Sequence, residues 1–170
     1  MSAVEMKNEG NGHFKAMRYD DAIASYTKAI NLDPKEGVFY SNRSAAYAAM
    51  EKWEESANDG LSCIALKPDF VKGYYRAGFA YEKMGKFVEA LKQCDTGMRR
   101  HASSPDLVAM LERLRPLAER EERSKRSGMG QEELLKAKGN DLFKAANFEE
   151  AIKVYGQAFE ACADKTSDLA

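Results

Sequence analysis

The sequence predicts an all-α fold of stacked helix pairs, and three observations carry that prediction. Related residues return at 34-residue steps: Tyr19, Trp53 and Phe87; Ala22, Ser56 and Ala90; Ile30, Ile64 and Met98. Within a unit the apolar residues fall three and four apart, as in Ala22, Ile23, Tyr26, Ala29 and Ile30, the stripe of an amphipathic helix. With 44% apolar and 31% charged residues, and 4 Pro and 12 Gly in 170, the chain is a folded one rather than a disordered or collagenous one.

The elements follow in order. Three two-helix units span about 3–36, 37–70 and 71–104, and Pro34 and Pro68 close the first two. Gly10, Ser44 and Gly78 put a small residue in each first helix, where it lets a neighbouring axis come close, and Tyr40 and Tyr74 open units two and three. His13 stands where Tyr47 and Tyr81 stand, while Gly60 and Cys94 stand where Tyr26 stands. Glycine inside a helix costs about 1 kcal/mol relative to alanine, so Gly60 is expected to relieve crowding from Trp53 or Tyr81. After residue 104 the period stops. Ser104-Pro105-Asp106 reads as an N-cap with proline at the first helical position. Leu107, Met110, Leu111, Leu114, Leu117 and Ala118 then give one apolar face to a capping helix over 105–126. Pro116 removes a backbone donor there, which predicts a kink or break near residues 112–116. The charged run from Glu119 to Arg126 reads as a solvated helix end, and residues 127–130 as a linker.

A new start follows at Gln131. Lys138-Gly139-Asn140 matches Glu9-Gly10-Asn11, and Phe148, Ala151, Ile152, Tyr155, Ala158 and Phe159 match Tyr19, Ala22, Ile23, Tyr26, Ala29 and Ile30. One helix pair cannot bury its own apolar face. Residues 131–170 therefore read as the first repeat of a second, incomplete domain, whose unpaired face leaves room for self-association.

Several function classes drop out. With 26 Lys and Arg against 27 Asp and Glu the net charge is −1, which argues against a broadly basic nucleic-acid binder or a polybasic membrane protein. The N-terminus has no apolar leader and no stretch approaches 18 apolar residues, so a cytoplasmic protein is expected. Cys63, Cys94 and Cys162 are far apart with no CxxC, and read as reduced thiols; His13 and His101 are lone and read as packing residues. No Gly-rich phosphate loop, HExxH, GxSxG or paired-carboxylate motif is present, so neither an enzyme nor a cofactor or metal site is expected.

Helical spacing gathers cations and amides instead. Lys7 and Asn11 are one turn apart, as are Lys72 and Arg76, and Asn42 precedes Arg76 by one period. Such donors pair with carboxylates in charge-assisted hydrogen bonds, and a peptide C-terminus ending in Asp or Glu supplies two carboxylates close together.

The repeat resembles the tetratricopeptide repeat, which implies a right-handed superhelix of helix-turn-helix units with a capping helix. The segments Lys7-Asn8-Glu9-Gly10-Asn11, Tyr40-Ser41-Asn42-Arg43-Ser44-Ala45-Ala46-Tyr47 and Lys72-Gly73-Tyr74-Tyr75-Arg76 resemble the two-carboxylate clamp of the co-chaperone members, as in the heat-shock-organising or stress-inducible family. The resemblance implies an adaptor whose clamp of Lys7, Asn11, Asn42, Lys72 and Arg76 binds the Glu-Glu-Val-Asp C-terminus of cytosolic 70- and 90-kDa heat-shock chaperones. Lys7, Asn11 and Asn42 would hold the terminal carboxylate, Lys72 the Asp side chain, and Arg76 a carboxylate or carbonyl upstream. Ala45, Ala48 and Phe79 would floor a pocket for the penultimate Val, with Tyr75 reaching the groove. Lys136 and Asn140 would begin a partial second clamp. Two alternatives stand beside this: the targeting module of a larger prolyl isomerase or protein phosphatase, and a purely structural scaffold.

Overall fold

The computed structural model describes residues 1–127 and 129–167, with side chains as far as residue 161, so the Cys162 thiol lies outside the described residues. Among the described residues there are nine helices and no strand. They are α1 (Ala3–Lys15), α2 (Tyr19–Leu32), α3 (Gly37–Ala49), α4 (Trp53–Leu66), α5 (Val71–Lys83), α6 (Phe87–Arg100), α7 (Pro105–Ser127), α8 (Gln131–Lys144) and α9 (Phe148–Ser167). Two compact units result, Met1–Arg120 and Glu121–Ala170. The division falls inside α7, ahead of the expected 127–130 linker, because the buried face of that helix runs out at Ala118. Beyond it, the Arg126 guanidinium pairs with Asp141 of α8 at 2.9 Å.

In the first unit each helix packs on its successor, α1 on α2 through α5 on α6. Small residues set how close they come. A Cβ on Gly10 would lie 2.6 Å from the Tyr26 ring, so that ring occupies the space a side chain would need. Ser44 and Ser56, both fully buried, each donate from Oγ to the other's backbone carbonyl, at 2.8 and 3.0 Å. Gly60 answers to a different neighbour than expected. Its Cβ would lie 2.7 Å from the Ala77 backbone nitrogen, so the close approach is of α4 to the α5 backbone, not to Trp53 or Tyr81.

The three helix pairs of this unit, and α8 with α9, are joined by one turn geometry. Met17, Glu51, Gly85 and Ala146 have φ of 58°, 57°, 71° and 58°. The next residue's N–H returns to the carbonyl five before it, Arg18 to His13, Lys52 to Tyr47, Lys86 to Tyr81 and Asn147 to Leu142, at 2.9–3.0 Å. This is the Schellman arrangement that ends a helix on a left-handed residue. Three of the four left-handed residues are not glycine, which costs each turn about 1 kcal/mol.

Helix α7 seals the third repeat. Leu107, Met110, Leu111 and Leu114 join Tyr74, Ala90 and Cys94 in one buried cluster. Its N-terminus forms as expected, with the Ser104 carbonyl accepting from Val108 N–H at 3.0 Å. The break expected near residues 112–116 does not occur, and α7 runs unbroken through Pro116. Glu112 and Pro116 are both exposed, so the missing hydrogen bond falls on the outer face of the helix. Buried side chains on both sides of Pro116, from Leu107 to Ala118, hold the helical path.

The second unit repeats the first pair's packing: a Cβ on Gly139 would lie 2.5 Å from the Tyr155 ring. Its outward face differs. Ile30 is 7% exposed, covered by Phe39 of the next repeat, whereas its counterpart Phe159 is 77% exposed and Ile152 is 71% exposed.

Two substitutions test these packing statements. Gly60→Ala should lower stability by about 1–3 kcal/mol, because the Ala77 backbone cannot move aside. Glu51→Gly should raise it by about 0.5–1 kcal/mol by relieving a left-handed side chain. Urea unfolding followed by circular dichroism measures both, and unchanged midpoints would contradict them.

Candidate functional site

The first helices of the repeats touch in turn, α1 on α3 and α3 on α5, and the sequence-selected residues lie along them. Two of those residues are joined directly. The Asn42 amide donates to Asn11 Oδ1 at 3.2 Å, and the Tyr26 hydroxyl donates to the same oxygen at 2.8 Å. Lys7, one turn before Asn11, is half-buried and forms no salt bridge among the described residues; its charge helps hold the Glu36 carboxyl low. The larger causes there are the Val38 N–H and the Lys67 ammonium, each bonded to Glu36.

On α5, Lys72 is exposed and Arg76 half-buried, one turn apart. Arg76 Nε is buried and meets no acceptor. Burial pushes the pKa of that guanidinium down, and the neighbouring Tyr75 offsets this in part. Arg43 on α3 is the contrast. Its Nε and Nη2 donate to Asp59 at 2.7 and 2.8 Å, and its Nη1 donates to Thr27 at 3.0 Å, so α2, α3 and α4 are tied through one side chain. The Tyr40 and Tyr47 rings lie 5.8 Å from it. Hydrogen bonding to Asp59 holds Arg43 more firmly charged than usual. This three-helix tie was missed in sequence; its one signal was an aspartate, Asp59, at the register of buried Ser25.

The remaining pocket candidates are half-buried. Tyr75 and Phe79 stack with centroids 6.0 Å apart, Trp53 meets Phe79 edge-on at 6.0 Å, and Lys83 Nζ sits 5.3 Å from the Phe79 ring. Ala45 and Ala48 lie on α3 with intermediate exposure. In the second unit, Tyr155 donates to Asn140 Oδ1 at 2.8 Å, the geometry of Tyr26 and Asn11. Lys136 pairs with Glu132 on its own helix.

Chemically this is a set of donors. Among the described residues no group of three or more His, Cys, Asp or Glu is placed to hold a metal, and no helix is long and apolar enough to cross a membrane. Cys63 and Cys94 are buried, with pKa values pushed by desolvation to about 11 and about 12. They are packing residues rather than nucleophiles.

No protein-family model matches the chain. Among characterised proteins it is 40% identical over 110 residues to the STIP1 homolog of Dictyostelium discoideum, covering 65% of this chain and 20% of that protein. The chain thus spans about a fifth of that relative's length. The first TPR domain of Spaghetti (RPAP3), solved bound to the HSP90 peptide SRMEEVD, is similar with a TM-score of 0.64 and 30% identity over 66% of this chain and 90% of that one. The second TPR domain of human RPAP3, in complex with the HSP70 peptide SGPTIEEVD, is similar with a TM-score of 0.63 and 31% identity over 66% and 93%.

The thiol burial has a direct consequence. With Cys162 replaced by serine, Cys63 and Cys94 should resist a thiol reagent at pH 8 and react once urea unfolds the chain. Rapid labelling of the native protein would contradict their packing role.

Proposed function

The chain belongs to the tetratricopeptide-repeat family and is similar to its Sti1-type co-chaperones, and from that premise we propose that its first unit binds the acidic C-terminal peptide of 70- and 90-kDa heat-shock chaperones. The buried Arg76 nitrogen without an acceptor carries the proposal. A half-buried cation left unpaired is costly to the folded chain, and an incoming carboxylate would offset that cost. The second half-buried arginine, Arg43, has its carboxylate already, and this contrast supports a ligand role for Arg76.

The other residues take the roles that the resemblance to the co-chaperone clamp implies. Lys7, Asn11 and Asn42 bind the terminal main-chain carboxylate, and Lys72 binds the side chain of the last Asp. Arg76 takes a carboxylate or carbonyl further upstream, and Ala45, Ala48 and Phe79 floor the site of the penultimate Val, with Tyr75 beside Phe79. Charge-assisted bonds of this type contribute about 1.5–3 kcal/mol each. The unit acts as an adaptor in the cytoplasm, holding a chaperone tail without chemistry of its own. Lys136 and Asn140 begin a second site of the same kind in the second unit.

Calorimetric titration with a peptide ending in Glu-Glu-Val-Asp should show binding that weakens when the C-terminus is amidated. Lys72→Ala or Arg76→Ala should each weaken it at least about tenfold, or about 1.4 kcal/mol, and added salt should weaken it further. Equal affinities for the free and amidated peptides would overturn the proposal.

A further inference from the structure

Resting on the peptide-binding reading, we infer that Tyr26 is a positioning residue of the site, whose hydroxyl holds the Asn11 amide with its N–H donors turned to the bound carboxylate. Asn11 Oδ1 accepts from Tyr26 at 2.8 Å and from Asn42 at 3.2 Å. A carbonyl oxygen has two lone pairs, so both are in use. Neither bond occupies the Asn11 NH2, which is the group Asn11 has left to offer a ligand. A flipped amide would present its oxygen to the carboxylate, and the repulsion would cost affinity; the 2.8 Å Tyr26 bond is the shorter of the two that oppose the flip.

Tyr26 is suited to the task. It is 2% exposed, and its ring fills the space over Gly10, where a Cβ would sit 2.6 Å away, so the phenol has one position. Burial raises its pKa, which keeps the hydroxyl proton in place as a donor.

The repeats supply an internal comparison. Tyr155 donates to Asn140 at the same 2.8 Å over Gly139 in the second unit. Repeats two and three have neither partner: Gly60 and Cys94 stand at the position of Tyr26, and Ala45 and Phe79 at that of Asn11. Tyrosine and asparagine thus occur together and are absent together. Ring packing alone does not require that pairing, since a phenyl ring would fill the same space.

Tyr26→Phe in the full chain keeps the ring and removes the hydroxyl. Calorimetry with the Glu-Glu-Val-Asp peptide should show about three- to tenfold weaker binding of the free acid and unchanged binding of the amide. The double variant Tyr26→Phe, Asn11→Ala should bind no more weakly than Asn11→Ala alone, which a merely structural role would not produce. If the wild-type chain fails to distinguish acid from amide, the peptide-binding reading falls and this inference with it. If the wild type distinguishes them and Tyr26→Phe keeps full affinity for the acid, or the two substitutions add, only the positioning role is overturned. Should Tyr26→Phe not fold, the wild-type chain still decides. The Asn11 side-chain 15N–1H signals should shift with the free acid and not with the amide, and their failure to shift overturns the role.

Discussion

Helices meeting at residues with little or no side chain are the constraint on which the rest of this structure depends. Amphipathic stripes alone would let helix pairs pack at many spacings. Gly10 under the Tyr26 ring, the reciprocal bonds of Ser44 and Ser56, and Gly60 against the Ala77 backbone leave one spacing each. A small residue recurs at one register of the first helices, Gly10, Ser44 and Gly78, and α1, α3 and α5 come side by side. Residues one helical turn apart on those helices then line a common surface, which is how Asn11 and Asn42, 31 residues apart, share a hydrogen bond.

Charge within that frame is divided between structure and ligand. Arg43 and Arg76 lie on consecutive first helices and are both half-buried, yet one bonds through all three guanidinium nitrogens and the other carries an unpaired buried nitrogen. The net charge of −1 over 170 residues hides this difference, since it averages a satisfied pair with an unsatisfied cation. Arg113 follows the structural pattern, donating to both Glu82 oxygens at 2.7 and 2.8 Å and fastening α7 to α5. Local conflict of the Arg76 kind persists where the surrounding packing is strong enough to carry it, and such places are where function concentrates.

The second unit shows what a single helix pair achieves. It reproduces the ring over glycine and the tyrosine–asparagine bond, both local to the pair. It leaves Phe159 exposed, whereas its counterpart Ile30 clusters with Met6 of its own repeat and Phe39 of the next.

The apolar periodicity determined the helices and the capping helix, since these are properties of residues a few turns apart on one helix, and the 34-residue recurrence determined which positions of the first helices are equivalent. Its failures share a cause. Glycine marked only Gly85 of the four left-handed turns, leaving Met17, Glu51 and Ala146 without a local signal. Gly60 was legible as a relief of crowding, but not as a seat for Ala77, and Pro116 as a helix breaker, but not as one overruled by packing on both sides. Only the tertiary structure decided that Arg43 is spent on Asp59 while Arg76 is not, and that the Tyr26 hydroxyl bonds Asn11. Which polar groups meet across helices depends on side chains 15 to 31 residues apart coming within about 3 Å, and no periodicity along the chain encodes that distance.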